Sequence, residues 1–230
     1  LLSVFGPALA GIFAVWMGAT QIFFINGATL FVAILIILTI PNGTLQKGVN
    51  NENTASKNTW NEVLKGIRLL FGNKIVRFAL SIEFISAIAG AIILVNTIGL
   101  VKNSLKLDDQ HYGWIMSIFG VGAAITAFLL GSLDKSKSRS VSLISGAMLL
   151  GIAISFANFL PYNGVMFLWV LAGIGQTLAD MPSETLIGEN IEAKDHGKVY
   201  GAHFAFSHLW WAIAYPIAGF LGTQFPGREF

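Results

Sequence analysis

The residues with the most chemistry to offer are acids set inside apolar runs. Glu83 lies in Ser81-Ile82-Glu83-Phe84, and Asp180 and Glu184 lie in Ala179-Asp180-Met181-Pro182-Ser183-Glu184. In hydrocarbon-like surroundings a charge costs at least ~2.5 kcal/mol, so an acid held there faces a cavity or a partner. Glu83 follows Arg77 by about one and a half turns, ~8 Å inside the end of its apolar run at 1.5 Å per residue. It reads either as a carboxylate that binds a proton or a cation, or as half of an ion pair with a nearby Lys or Arg that locks one end of a channel. Asp180 and Glu184, four apart, share one helix face, and Pro182 between them frees the carbonyl of Leu178. A helix distorted there and carrying two acids is suited to moving and to attracting a cation. Glu184 precedes Gly188-Glu189-Asn190 and also reads as a wet helix end; Asp180 is the deeper acid. Asn96 either hydrogen-bonds a solute or holds a neighbouring helix.

The histidines do not form a local metal motif. His203 and His208 are five apart, ~140° around a helix, and cannot chelate one ion together. His208 aligns with Trp211 and Tyr215, a stripe that either lines a cavity with the imidazole as a proton relay or packs on a neighbouring helix. His111 and His196 fall between the apolar runs and read as solvated. With no Cys there are no disulfides, thiolate metal ligands or cysteine nucleophiles. Glycine pairs such as Gly120-Val121-Gly122 and Ala172-Gly173-Ile174-Gly175 follow no strand and precede no phosphate-binding Lys, so they read as packing surfaces rather than nucleotide loops. No cofactor is implied, and the metal question stays open. The acids are scattered over separate segments rather than clustered as an enzyme would need, so an enzyme is not expected. A net charge of +2 is too small to suggest nucleic acid.

The elements that must position these residues are membrane helices. The chain is 54% hydrophobic and only 11% charged, against about a quarter charged for soluble domains. Seven stretches approach the ~20 residues needed to cross ~30 Å of hydrocarbon: 1–17, 21–40, 78–101, 112–133, 140–160, 164–186 and 199–222. None alternates with period two, which disfavours a β-barrel. Pro41-Asn42-Gly43 closes the second stretch, and Pro161-Tyr162-Asn163-Gly164 reads as a turn. The loops at 41–77, 134–139 and 187–198 hold 11 of the 14 lysines and arginines; by the positive-inside rule they face the cytoplasm. Residues 42–58 are a polar linker. Thr59-Trp60-Asn61-Glu62 has capping-box spacing, followed by an amphipathic helix over 60–71 with Trp60, Val63, Leu64, Ile67, Leu70 and Phe71 on one side and Lys65 and Arg68 on the other. Such a helix lies in the membrane interface. The organisation is 1–41, then a linker and helix at 42–77, then five spans in 78–230.

A long basic loop joining two helical bundles resembles the layout of the major facilitator superfamily. Gly6-Pro7-Ala8-Leu9-Ala10-Gly11 resembles its antiporter motif, through Gly6, Pro7 and Gly11. Tyr112-Gly113-Trp114 and Phe119-Gly120-Val121-Gly122 are similar to the start of its eighth helix. Gly131-Ser132-Leu133-Asp134-Lys135-Ser136-Lys137-Ser138-Arg139 resembles the gating loop that follows, with one residue fewer between Leu133 and Asp134. The resemblance implies gating roles for Gly131, Asp134 and Arg139. Phe204-Ala205-Phe206-Ser207-His208-Leu209-Trp210-Trp211, Ala214-Tyr215-Pro216 and Val95-Asn96-Thr97 resemble exporters of the drug-proton and nickel-resistance branches. It implies an all-α bundle, incomplete, covering helices five to eleven. It also implies a proton-coupled exporter in the cell (inner) membrane, with lipid, protons and a small solute or cation as partners. Divalent nickel or cobalt is an alternative cargo; a non-transporting membrane scaffold or sensor is the reading from another class. A tag in 42–58 is expected to be reached by an impermeant reagent only after the cells are opened. Labelling of intact cells checks this.

Overall fold

The computed structural model describes residues 13, 16–39, 59–132, 139–225 and 229–230. Their regular structure is helical: α1 (Ala19–Leu38), α2 (Thr59–Gly72), α3 (Lys74–Gly99, continued by a π-turn to Ser104), α4 (Asp109–Ser132), α5 (Arg139–Phe156), α6 (Tyr162–Asn190) and α7 (His196–Gln224). The segment at 1–12, the linker at 42–58 and the loop at 133–138 lie outside the described residues, and with them Gly6, Pro7, Gly11 and Asp134.

Five stretches are long and apolar enough to cross a membrane: Lys74–Ser104, Asp109–Gly131, Arg139–Phe159, Tyr162–Asn190 and Ala193–Gln224. Each begins one to six residues before the apolar run that announced it. Polar ends add helical turns at no cost in the interface, because their side chains reach water. α1 is also apolar, and its side chains from Phe23 to Thr39 are exposed. Hydrocarbon forces these segments into helices because each backbone amide must be satisfied within the segment.

α6 is the central element, packed along both α4 and α5 and touching α3; α3 in turn packs on α7. Glycines set the closest crossings. A Cβ on Gly173 would collide with the Phe119 carbonyl oxygen of α4 and come within 2.9 Å of the Ala123 amide; one on Gly146 of α5 would stand 2.6 Å from the Gly175 carbonyl oxygen and the Ala179 amide of α6. Backbones approach this closely where a glycine leaves out the side chain at the crossing. Ile93, Leu100, Ile115, Leu150, Val165 and Trp169 form the main buried core, at the end away from α2. A smaller core of Leu70, Val76, Leu80, Ile187 and Val199 lies under α2.

Three details depart from the sequence reading. Pro161 caps α6, so Tyr162, Asn163 and Gly164 are its first turn rather than a loop. Proline is favoured at a helix start, where its missing N–H costs nothing. Glu62 does not remain free to close a capping box; its carboxylate pairs with Lys198 of α7, a full charge being the stronger partner. His111 and His196 are not loop residues. His111 sits in α4 with Nδ1 2.6 Å from Asp108 Oδ1, and this bond, with the His111 amide, holds the Asp108 carboxyl below its ordinary range. His196 opens α7 and bonds the Ile191 carbonyl at 2.9 Å.

The amphipathic helix α2 divides its apolar stripe. Leu70 is buried and Phe71 meets Phe206 of α7 edge-on, with centroids 4.9 Å apart. Trp60, Val63 and Leu64 remain exposed. Lys65 bonds Asp195 at 2.7 Å.

Gly173→Val and Gly146→Val are expected to destabilise the bundle by about 1–3 kcal/mol or more, the range for overpacking. Gly151→Ala, with open space around it, is expected to be neutral. Thermal unfolding in detergent compares the three.

Candidate functional site

Among the described residues the acids of α3 and α6 converge on one polar chain inside the bundle. Glu83 is nine residues into α3, ~14 Å from its start at Lys74. The helix begins at Lys74 rather than at 78, so its first turn is polar and lies ahead of the apolar run. Asp180 is ten residues before the end of α6, ~15 Å in. Both therefore lie within the apolar spans, a few turns in from the polar end of each helix.

Glu83 meets His203 of α7, Nε2 to Oε2 at 2.8 Å. The same oxygen accepts from Ser183 Oγ at 3.2 Å. One turn further along α3, Ser86 donates to Asp180 Oδ1 at 2.8 Å. Gln176 Nε2 stands 2.6 Å from Asp180 Oδ2 and 2.7 Å from Ser86 Oγ. Ser183 Oγ also lies 3.0 Å from the Asp180 backbone carbonyl; its single proton goes to one acceptor or the other, and the two acid sites stand side by side. Three helices contribute: α3 with Glu83 and Ser86, α6 with Gln176, Asp180 and Ser183, and α7 with His203.

One of the two readings of Glu83 paired it with a Lys or Arg; the structure places His203 there instead. No signal in the sequence links residues 120 apart, and the His203–His208 comparison looked only along one helix. Asp180 is faced by neutral donors. Glu184, one turn beyond, is exposed and near both acids, and its carbonyl accepts from Tyr200. Pro182 lies within a helix that runs through to Asn190. The carbonyl it frees, Leu178 O, accepts from Ser142 of α5 at 3.2 Å.

Beside the network, Gly90 of α3 opens a gap filled from two sides. A Cβ there would stand 2.7 Å from the Trp211 ring and 2.8 Å from Gln176 Oε1. Among the described residues that buried amide oxygen accepts no hydrogen bond, an arrangement that costs about 1–3 kcal/mol. It is an acceptor turned to the junction of α3, α6 and α7.

The other residues singled out from the sequence lie elsewhere. Asn96 is buried and donates to the Glu229 carbonyl at 3.0 Å, close to Gly222 of α7. His208 bonds the Phe204 carbonyl of its own helix at 2.8 Å and stacks on the Phe204 ring. His208 and Tyr215 are exposed on the side of α7 turned away from Val199, His203 and Ala214; Trp211 stands between the two faces. Arg139 opens α5 and forms a two-point pair with Glu189 of α6, at 2.5 and 3.0 Å. Gly131 is exposed, and among the described residues no other element lies within 4 Å of a Cβ placed there. Among the described residues, no group of three or more His, Cys, Asp or Glu side chains is placed to hold a metal ion.

Residues 79–229 match the family model described as Major Facilitator Superfamily. The chain is 26% identical over 214 residues to YfiS, an uncharacterized MFS-type transporter of Bacillus subtilis (strain 168). That alignment covers 86% of the chain and 49% of the relative. It is 28% identical over 160 residues to a multi-drug resistance efflux pump PmrA homolog of Lactococcus lactis subsp. lactis (strain IL1403), across 69% of the chain and 37% of that protein. The chain thus spans about half the length, or less, of the curated relatives it matches. No solved structure matches it significantly. The bundle of long apolar helices and the match over 79–229 together place this chain in the major facilitator superfamily.

Proposed function

We propose that this chain carries one half of a secondary transporter that exports a small, drug-like solute in exchange for protons. The observation that carries the reading is the network of Glu83, His203, Ser183, Asp180, Gln176 and Ser86. It joins three long apolar helices and holds two acids inside their bundle with no Lys or Arg bonded to either among the described residues. An acid so placed binds a proton or a positively charged group, since either relieves the cost of its charge. The unpaired Gln176 oxygen beside Trp211 adds a hydrogen-bond acceptor and an aromatic wall, the combination expected of a site for an organic solute. The similarity to a protein named as a multi-drug resistance efflux pump supports the same class of cargo.

An organic solute suits the geometry better than a divalent metal, because no set of three ligating side chains converges among the described residues. In this superfamily the solute site lies between two repeats near the bilayer midplane; the exposed face of α7 with His208 and Tyr215 is a second stretch of the solute path. Asn96 braces α3 against the Glu229 backbone. The end of the bundle carrying α2 and Arg139 faces the cytoplasm, where the basic residues concentrate. Trp60, Val63 and Leu64 of α2 rest in the inner-leaflet interface.

The test is transport by the full-length protein in proteoliposomes under an imposed pH gradient, with lipophilic fluorescent dyes and Ni²⁺ as separate probes. The wild type is expected to move dye and not Ni²⁺. Glu83→Gln and Asp180→Asn are each expected to lower proton-driven dye movement at least about tenfold at unchanged protein levels, one decade per ~1.4 kcal/mol lost. Unchanged transport in both variants removes the two acids from the mechanism, and no gradient-driven movement of any probe supports a scaffold or sensor instead.

A further inference from the structure

The two acids of the network have different surroundings, and the difference assigns them different work. We propose that Glu83 and His203 form a charge-balanced tie between α3 and α7, and that this tie leaves Asp180 as the acid whose proton is exchanged for solute. The proposal rests on the reading of the chain as part of a proton-coupled transporter and names His203 as a positioning residue within it.

Glu83 faces the one titratable base in the network. Its Oε2 lies 2.8 Å from His203 Nε2, and Ser183 donates to the same oxygen. Both side chains are nearly buried, with 13% of Glu83 and 9% of His203 exposed, so an unbalanced charge on either would be costly. An imidazolium facing a carboxylate is neutral as a pair, and a charge-assisted bond of this length is strong. Asp180 has no such partner. Its two oxygens are met by Ser86 and Gln176, which can donate to an anion yet cannot cancel its charge. Among the described residues the remaining groups around the network bring no positive charge to Asp180. From α6 come Glu184, exposed, and Ser183; from α7 comes Tyr200, whose hydroxyl is turned to the Glu184 carbonyl. From α5 comes Ser142, turned to the Leu178 carbonyl. Among the described residues none of these is a Lys or Arg.

The exchange then involves one O–H bond. The Asp180 carboxyl loses its proton to water as solute enters, the anion is held by Ser86 and Gln176, and the carboxyl regains a proton from the other side once solute has left. Glu83 and His203 keep the same total charge throughout. Their bond links the two helices whose junction also contains Gln176 and Trp211, so the tie keeps α7 in register with α3 while Asp180 changes state. Ser183, three residues after Asp180 on α6, gives its single proton either to Glu83 or to the Asp180 backbone carbonyl, which sets the tie beside the exchanging acid.

The experiment is dye transport by the full-length protein across a pH series, with protein levels measured for each variant. His203→Gln leaves Glu83 unbalanced and is expected to reduce transport at neutral pH at least about tenfold. Activity should recover at acid pH, where Glu83 takes up a proton. The double variant Glu83→Gln with His203→Gln restores neutrality with a hydrogen bond between amides. It is expected to return to within about twofold of wild type, since replacing both members of a buried pair costs far less than removing one, and to keep the wild-type pH profile. Asp180→Asn should abolish gradient-driven transport in either background. A double variant whose transport no longer responds to pH would overturn the proposal, because Glu83 would then be the exchanging acid. A His203→Gln variant with the wild-type rate and profile would overturn it too, showing a packing role alone. Absence of proton-driven transport by the wild type would instead defeat the broader reading on which the proposal stands.

Discussion

Inside the bundle every polar group must find its partner within the protein, because hydrocarbon offers none. The backbone meets this demand by forming helices. The side chains of Glu83, Asp180, Gln176, Ser86, Ser183 and His203 meet it only by meeting one another, and so three helices must approach at one level. A single hydrogen bond between membrane helices is modest in energy. A connected set that contains two acids is not, since removing one member strands a charge or a donor. The network is therefore both the element of chemistry in this chain and a constraint on how α3, α6 and α7 are aligned.

That alignment depends on close packing around it. Hydrocarbon supplies no hydrophobic drive between helices, so contact must come from van der Waals fit and small residues. α6 meets α4 through Gly173 and Gly122, and α5 through Gly175 and Gly146, with backbone against backbone. These crossings hold the helix that carries Gln176, Asp180 and Ser183. Ser142 closes the one backbone defect near the acids by bonding the carbonyl that Pro182 leaves free. Gly90 has the opposite use: its missing side chain admits Trp211 and the Gln176 amide oxygen to the junction.

At the basic end the solvent changes and so do the interactions. α2 is fastened to the start of α7 by Lys65–Asp195 and Glu62–Lys198, and α5 to the end of α6 by Arg139–Glu189. Such partly exposed pairs are weak individually, usually within ~1 kcal/mol. Leu70 and Phe71, packed beneath α2, contribute the larger share of its docking. The helix thus meets the bundle with one edge while Trp60, Val63 and Leu64 stay exposed, a division that a single stripe of apolar residues in the sequence does not reveal.

The sequence by itself determined the solvent, the class of secondary structure and the identity of the scarce chemical groups. Composition and segment length are properties of local stretches, and a bilayer acts on each stretch separately. Five apolar runs therefore became five helices near the expected positions, and acids within them stood out by their cost. Motifs quoted from consecutive residues also pointed to the family that the match over 79–229 establishes. Only the tertiary structure decided which polar groups pair. Glu83 could have met a Lys, an Arg or nothing; His203, 120 residues away, was visible only as a residue that could not chelate with His208. Gln176 carried no signal, being one neutral amide in an apolar segment. His208 and Tyr215 were read as a stripe but lie on the face turned from the bundle, because helical periodicity shows which residues share a side and not what that side meets. Pairing between helices is set by crossing points and depth, which depend on glycines packed against distant backbone, and no local pattern encodes them.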